Sequence, residues 1–343
     1  SSSSAASDVY KRQTERGSLE DATINGGFDL HQDLVWIDLI APSQEEQQWV
    51  IDAYDRNLPT LKSLEDISSS ARFYRDDDGI LHISTYFLTK NKNYQVDGDN
   101  EDTSHILATV QTVAFILHKD RLFTMRGEKL VAFRAFRARA RRNDYDMDYK
   151  DPTWILLGLL EAKLDELADI LEDIHKDLEK YSTEVLNNHH REKILDLDDM
   201  ITRLAQQEDV LGKAQLCLID LRRVLTFLSR PRALGSHIYD ADIRELSEDV
   251  RSLVEHDAFL FQKVRFLLDT TSGFINTEQN DTIRRFSILP SMLAPPMLIA
   301  SIYGMNTTEL PFAHGALSFL IVAAILMVSF VGPMMYFRWK KWV

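Results

Sequence analysis

Several residue types and patterns are scarce in this chain of 343 residues, and each scarcity excludes a class of protein. Cys217 is the only cysteine, which excludes an intramolecular disulfide framework and indicates a reducing compartment for the main body. Residues 1–27 are polar and serine-rich and lack the apolar core of a signal peptide. We therefore expect residues 1–27 to be a disordered tail and the large N-terminal portion to stay in the cytosol.

Positive charge is also in short supply. The formal net charge is −14, which argues against nucleic acid as a partner and suits a protein that handles cations. The sequence has no nucleophile motif, no phosphate-binding glycine loop and no HExxH zinc pattern, so an enzyme or an organic cofactor has no support.

Two long segments near the C-terminus lack charge altogether. Phe286 to Met305 is a run of twenty uncharged residues, and Ala316 to Phe337 is another of twenty-two. About twenty helical residues span the hydrocarbon core of a bilayer, so both pass the length test for a membrane helix. A buried hairpin of a soluble protein is the alternative, but soluble core helices rarely run this long without a charge.

The flanks of the two segments predict their orientation. Basic residues precede the first segment and follow the second, whereas the loop of residues 307–315 has no Lys or Arg. The positive-inside rule therefore places both flanks in the cytosol and the loop outside. Tyr336, Trp339 and Trp342 are expected to anchor the second segment at the inner interface.

The first segment contains Pro290, Pro295 and Pro296, each of which removes a backbone donor. Freed carbonyl groups need partners in lipid, so this helix should face protein or water, while the second suits lipid. Because one hairpin cannot enclose a pore, a pore would require several copies around an axis.

A heptad-like series of apolar residues leads into the first segment. It runs with alternating steps of three and four from Ile243 to Phe274, interrupted once at Asp257. One helix from His237 to Asn306 would be roughly 100 Å long. It could carry a conformational change into the bilayer, or it could be a coiled-coil stalk that only spaces domain and membrane.

The rest of the chain divides into a mixed part and a helical part. Residues 28–130 alternate strand-like runs with a helix opened by a capping box at Ser43 and Glu46, and a hairpin is predicted around Lys119 and Asp120. After Pro152 the pattern is wholly helical. The predicted parts are a tail (1–27), an α/β domain (28–150), a helical hairpin (151–236), a stalk helix (237–285), transmembrane helix 1 (286–306), an outer loop (307–315), transmembrane helix 2 (316–337) and a basic cytosolic tail (338–343).

The first segment ends in Gly304-Met305-Asn306, just before a short outer loop, and the chain finishes in Lys340-Lys341-Trp342-Val343. In this position the tripeptide resembles that of the CorA family of magnesium and cobalt transporters. Five further stretches carry the resemblance upstream, namely Phe261-Gln262-Lys263-Val264, Gly273-Phe274-Ile275-Asn276, Glu278-Gln279-Asn280, Ala71-Arg72-Phe73 and Asp76-Asp77-Asp78-Gly79.

The resemblance implies an α+β membrane fold, in which an N-terminal α/β domain and long stalk helices form a homopentameric cytosolic funnel. Gly304, Met305 and Asn306 would form a selectivity filter at the outer mouth, holding a hydrated ion through neutral oxygens. Below it, the family's pore positions fall on a set of six residues. These are Met297, Ala294, Ser287, Phe286, Ile283 and Asn280. Phe286 and Ile283 would form a hydrophobic constriction that excludes ions by dewetting.

The resemblance also implies regulation and an ion range. Asp269 matches a position where cytosolic Mg²⁺ binds between subunits and keeps the channel shut. The implied function is influx of Mg²⁺, and also of Co²⁺ with Ni²⁺ as a further candidate, across the cell inner membrane. Two alternatives remain open: a zinc transporter of the same fold, as in the ZntB branch, and a membrane-anchored coiled-coil sensor that conducts nothing.

Some positions depart from the family pattern or have plainer explanations. Met297 places a thioether where the family often has a small polar residue, and Glu309 is the only acid near the mouth. His189 with His190, and His314, are interpreted as solvated connection and loop residues rather than metal ligands. The basic run from Arg134 to Arg142 is interpreted as a solvated or ion-paired helix face.

Overall fold

The computed structural model describes residues 8–13, 18–23, 34–54, 72–91, 107–118, 121–142, 151–187, 197–231, 233–234, 236–305 and 317–340. Its helices and strands fall into two compact units, Ser1–Leu267 and Leu268–Val343. The first unit contains all the strands and the second holds the two uncharged segments.

The first unit is built on a five-stranded mixed sheet. Its strands are β3 (Trp36–Ile40), β4 (Phe73–Arg75), β5 (Leu81–Asn91), β6 (Leu107–His118) and β7 (Arg121–Arg126), in the spatial order β3-β7-β6-β5-β4. Only β3 and β7 run parallel, with Trp36 opposite Leu122. The hairpin predicted around Lys119 and Asp120 is confirmed by the antiparallel β6–β7 pair, although these two turn residues lie outside the described part.

Both faces of the sheet's centre are buried, so buried positions follow one another along its strands instead of alternating with exposed ones. All five residues of β3 are buried, and Val113, Phe115 and Leu122 are fully buried on their strands. On one face, Phe133 packs its ring against Trp36 at 6.1 Å between centroids.

Among the described residues, four helices of the first unit precede the long helix. They are α1 (Gln44–Tyr54), α2 (Val131–Arg142), α3 (Pro152–Asn187) and α4 (Leu197–Leu228). The capping box that opens α1 is confirmed: Glu46 N–H donates to Ser43 Oγ at 3.2 Å, and Ser43 N–H donates to Glu46 Oε2 at 2.8 Å. These reciprocal bonds satisfy donors that a helix start leaves without intrahelical partners.

Two N-terminal strands correct the expectation of a disordered tail over residues 1–27. β1 (Asp8–Gln13) and β2 (Ser18–Thr23) pair antiparallel along six positions, from Asp8 opposite Thr23 to Gln13 opposite Ser18. A hairpin of this kind is closed by backbone hydrogen bonds between nearby residues and does not require an apolar run. Its polar composition therefore did not reveal it.

The last two helices carry the uncharged segments. α5 runs from Asp240 to Tyr303 as 64 residues, and α6 runs from Ser318 to Trp339 as 22 residues. α5 starts three residues after the predicted His237, whose Nδ1 lies 2.9 Å from an Asp240 carboxylate oxygen, and stops before Asn306. The three prolines of the first segment, Pro290, Pro295 and Pro296, are accommodated within one helix.

Candidate functional site

The candidate site is the uncharged part of α5 with the short turn that follows it. By length and composition, α5 and α6 are the two helices in the described chain that could cross a membrane. Almost none of the apolar window of α5 is buried, and none of that of α6 is. Core helices of soluble proteins are mostly buried, so this exposure removes the soluble-hairpin alternative as an account of these helices.

The predicted pore positions share one face of α5. Their spacing from Asn280 through Ile283, Ser287 and Ala294 to Met297 follows steps of three, four and seven, which keeps them along one stripe. All are exposed in the single chain: Phe286 is 76%, Met297 66% and Ile283 62% exposed. The structure thus places these side chains on a common surface that the chain itself leaves uncovered.

Ser301 belongs to the same stripe, although the sequence analysis did not select it. It lies seven residues after Ala294 and is exposed near the C-terminal end of α5. The heptad spacing alone could have identified it.

Backbone groups of α5 lose partners at three points along this segment. A proline at position i removes the amide that would bond the carbonyl of residue i−4. Pro290, Pro295 and Pro296 therefore free the carbonyl oxygens of Phe286, Ser291 and Met292 from that bond. Such groups need water or protein around them when they lie in a bilayer, and α5 has three of them, whereas α6 has the single internal proline Pro333.

Two serine hydroxyls bond backward along α5. Ser287 Oγ donates to Ile283 O, and Ser291 Oγ donates to Ser287 O, both at 2.7 Å. These bonds satisfy each hydroxyl proton within the helix and leave its oxygen lone pairs as acceptors. The stripe therefore offers neutral oxygens and no charge.

The helix ends in a tight turn at the residues predicted to form the filter. Gly304 N–H donates to Ala300 O at 2.9 Å, while Met305 N–H donates to Ile302 O at 3.2 Å instead of the Ser301 carbonyl that a continuing helix would use. A Cβ at Gly304 would lie 3.3 Å from Ala300 O and 3.5 Å from Ser301 O. Glycine thus leaves carbonyl oxygens uncovered at the negative end of the helix dipole, where a cation is favoured.

Two predicted site residues, Asn306 and Glu309, lie outside the described part of the chain. So do His189, His190 and His314, which were interpreted as solvated residues. Gly304 is exposed and Met305 is 57% exposed.

The proposed regulatory position, Asp269, is an exposed residue of α5. Within the described residues, no group of three or more His, Cys, Asp or Glu side chains is placed to hold a metal. The structure of one chain therefore does not assemble a metal site around Asp269.

Comparisons with known proteins agree with this geometry. The family described as "CorA-like Mg2+ transporter protein" matches residues 31–341. The chain is 40% identical over 316 residues to a protein of Escherichia coli K12 named "Magnesium transport protein CorA", covering 90% of this chain and 92% of the relative. A protein of the same name from Salmonella typhimurium is 39% identical over 324 residues, covering 91% and 92%.

Solved structures show the same fold. The complete structure of the CorA magnesium transporter from Methanocaldococcus jannaschii superposes with a TM-score of 0.72 at 18% identity and covers 99% of both chains. The full-length CmaX protein gives a TM-score of 0.66 at 15% identity, covering 98% of this chain and 97% of the other. With the family match spanning nearly the whole chain, and with relatives this similar, the chain belongs to the CorA-like Mg²⁺ transporter family.

Proposed function

We propose that this protein transports Mg²⁺ across a membrane along a path lined by the exposed stripe of α5. The observation that carries the proposal is the stripe itself: an uncharged, proline-bearing helix face, exposed in the single chain, that ends at Gly304 and Met305. The names of the relatives at 37–40% identity, all magnesium transport proteins, support Mg²⁺ as the cargo.

Neutral oxygens at the outer end of α5 suit this cargo. Mg²⁺ gives up its water reluctantly and usually keeps several waters when bound. The side-chain amide oxygen of Asn306 and the uncovered carbonyl oxygens near Gly304 would accept hydrogen bonds from that hydration shell. A ring of carboxylates would hold the ion more tightly and slow its release into the path. Glu309 remains a proposed outer acid that attracts cations to the mouth.

Farther along the stripe, Ile283 and Phe286 are proposed to form a hydrophobic constriction. Their side chains are large, apolar and exposed, at 62% and 76%. A narrow apolar ring loses its water and blocks a hydrated ion without any charge. Asn280, Ser287, Ala294, Met297 and Ser301 would line the remainder.

The path requires more than one chain, and we propose a homopentamer. A single α5–α6 hairpin cannot surround an ion, whereas copies arranged around an axis would bring their stripes together. The exposed apolar residues of the stripe would then face neighbouring copies across the path.

For regulation, we propose that intracellular Mg²⁺ binds at Asp269 between neighbouring chains and holds the path closed. Asp269 is exposed and can therefore reach another copy. Loss of the bridging ion would leave like charges facing each other and favour separation of the helices.

The location and the ion range follow the same reasoning. Arg284 and Arg285 precede the first segment, and Arg338 lies in the last turn of α6, so we propose an inner-membrane protein with both termini cytosolic. Co²⁺ and Ni²⁺ are proposed as further cargo. Transport requires no organic cofactor and no enzymatic step.

Of the two alternatives, zinc transport is not favoured, because the relatives similar over nine-tenths of the chain are magnesium transport proteins by name. A non-conducting sensor would not need an uncharged helix face with freed carbonyl groups. A flux assay with Mg²⁺, Co²⁺, Ni²⁺ and Zn²⁺ in competition separates the possibilities.

The main test is Mg²⁺ flux into proteoliposomes containing the intact protein with Asn306→Ala. We expect uptake to be abolished, because the proposed first binding step loses its amide oxygen. Thr307→Ala is the matched control and should retain uptake, and chromatographic size should be unchanged in both variants. Unaltered uptake by Asn306→Ala would show that the outer-mouth assignment is wrong.

A second test addresses regulation through Asp269→Lys. We expect the channel to become less sensitive to internal Mg²⁺, so that currents persist at Mg²⁺ concentrations that close the wild type. Lys263→Asn, a change on the same helix two turns earlier, serves as control. Patch recordings with the same inhibition curve for wild type and Asp269→Lys would exclude this residue as the regulatory ligand.

A further inference from the structure

An acidic side chain lies buried in the apolar seam of α5, well before the uncharged segment. Asp257 is fully buried, as are its seam neighbours Val250, Leu260 and Val264. Neither of its carboxylate oxygens has a hydrogen-bond partner among the residues that the structure describes. Buried polar groups are almost always paired, because an unpaired charge out of water is costly. This exception therefore needs a physical explanation.

Contacts between helices identify the parts of α3 and α4 that lie at the same height as Asp257 of α5. The ring of the preceding residue, His256, stacks on His175 of α3 at 5.6 Å between centroids. Gln207 Nε2 of α4 donates to an Asp177 carboxylate oxygen of α3 at 3.4 Å. Around these contacts the inward positions of both helices are apolar and buried. They are Ile174 and Leu178 on α3 and Leu204 and Leu211 on α4.

Titratable side chains near this level have other partners or lie on other faces. Within three residues of the contact positions they are Glu172, Asp173, His175, Lys176, Asp177, Glu179 and Lys180 on α3, Glu208 and Asp209 on α4, and Glu255 and His256 on α5. The two lysines form ion pairs with acidic residues of their own helix: Lys176 pairs with Glu172 at 2.7 Å and Lys180 with Asp177 at 3.3 Å. His175 faces Glu179 at 3.4 Å.

We propose that Asp257 is a proton-binding site of the long helix, with its carboxyl group neutral while the seam is closed and ionised when the seam opens at this level. A protonated carboxyl group in an apolar seam carries no net charge. The only remaining cost is that its polar atoms lack hydrogen-bond partners. An ionised one has no cation to compensate it there. The proton thus decides whether the seam can remain closed around residue 257.

Burial supports this assignment by raising the pKa of Asp257 from 3.8 to about 6, with no charged neighbour acting against it. A group whose pKa is raised on folding stabilises the closed state at low pH. That stability is complete below pH 3.8 and is lost as the pH rises through about 6. The direction is opposite to that of an ion-paired carboxylate, whose contribution is lost as the pH falls.

The consequence concerns a helix that the proposed path also uses. Asp257 and the stripe residues belong to the same α5, so protonation changes the packing of the helix that bears the first uncharged segment. The inference does not depend on which ion is transported, and it would survive the failure of the Mg²⁺ proposal.

The test is amide hydrogen exchange of peptides covering residues 250–264 in the intact protein, corrected for the intrinsic pH dependence of exchange. For the wild type we expect the local opening equilibrium constant to rise by about tenfold between pH 5 and pH 7, given a pKa of about 6 closed and 3.8 open. Asp257→Asn, which cannot ionise, should show no such rise. Asp257→Leu provides a second neutral variant in case the amide disrupts folding.

Glu255→Gln is the matched control, because Glu255 is an exposed carboxylate two residues away on the same helix. It should keep the wild-type profile. A profile in Asp257→Asn and Asp257→Leu as steep as in the wild type would overturn the proposal. So would a rise that added MgCl₂ suppresses at pH 7 in Asp269→Lys, which lacks the proposed regulatory ligand, because the Asp257 carboxylate would then be a cation ligand.

Discussion

The unit that ends at Leu267 and the unit that begins at Leu268 treat large apolar side chains in opposite ways. In the first, Trp36 is 1% exposed and Phe115 is fully buried. In the second, Phe286 and Phe319 are 76% and 79% exposed. The first unit is folded around its own core, whereas the second exposes surfaces that require lipid or other copies of the chain. Large apolar side chains therefore form the core of the first unit, whereas in the second unit they form surfaces suited to contact with lipid or other copies.

Charges divide in the same way. Around its sheet, the first unit compensates the charges that it buries: Arg126 Nη2 donates to Asp38 Oδ2 at 2.6 Å with both side chains fully buried. In a second cluster, Thr85 Oγ1 and Tyr86 N–H donate to Asp220 at 2.5 and 2.9 Å, and Lys163 Nζ donates to Thr85 at 2.8 Å. The uncharged segments of the second unit contain no Asp, Glu, His, Lys or Arg over at least twenty residues each. Polar partners compensate buried charge in the first unit, whereas the uncharged segments of the second unit offer only neutral oxygens.

The largest expected effect comes from breaking the compensation in the first unit. Asp38→Ala leaves the Arg126 guanidinium buried without its carboxylate, and loss of one partner of a buried pair costs about 3–5 kcal/mol. We expect the free energy of opening of β3 and β7, measured by hydrogen exchange, to fall by that amount.

Asp165→Ala is the control for that variant. It removes an exposed ion pair with Arg139, and exposed pairs contribute about 0–1 kcal/mol. Equal losses in the two variants would contradict the contrast between buried and exposed charge.

A probe of the first unit alone is its single thiol, Cys217, which is fully buried. Burial raises the pKa of Cys217 from 9.0 to about 11, so its thiolate fraction at pH 8 is about a hundredfold lower than that of an ordinary cysteine. We expect iodoacetamide to label the native protein at least that much more slowly than the urea-unfolded chain, with the native rate rising toward pH 11. Comparable rates would mean that the first unit opens readily around α4.

In the second unit, Phe286→Ala tests whether an exposed apolar side chain restricts ion flux. Removing the proposed apolar constriction should raise Mg²⁺ flux by about tenfold, the equivalent of about 1.4 kcal/mol in the barrier. Exchange in the first unit should not change. Leu289→Ala is the control, since Leu289 is 64% exposed but lies outside the stripe. An equal rise in both variants would count against a constriction at Phe286.

Much of the fold was predictable where the signal is local. The capping box at Ser43 and Glu46 fixes a helix start within four residues, and the β6–β7 hairpin needs only two short strand-like runs. The periodic seam from Ile243 onward predicted one long helix, and α5 begins within three residues of the predicted start. The N-terminal hairpin was missed because backbone pairing in a polar segment leaves no hydrophobic pattern.

The candidate site was predictable in part. Spacing along α5 brought the stripe residues to one face, although Ser301 was overlooked. The resemblance of Gly304-Met305-Asn306 to a family tripeptide supplied the filter, and no periodicity would have done so. The geometry of the turn adds a reason for glycine, because a Cβ there would crowd the Ala300 carbonyl at 3.3 Å.

The sequence by itself determined the two uncharged segments, the seam of the long helix and the polarity of their flanks, because each depends on residues close together in the chain. Tertiary structure alone decided which charges are buried and what compensates them. Asp38 and Arg126 are 88 positions apart, and Thr85 and Asp220 are 135 apart, so only folding brings them together. Asp257 shows both levels: its sequence position interrupts the seam, but only the packing of the helices seals its carboxyl group away from water.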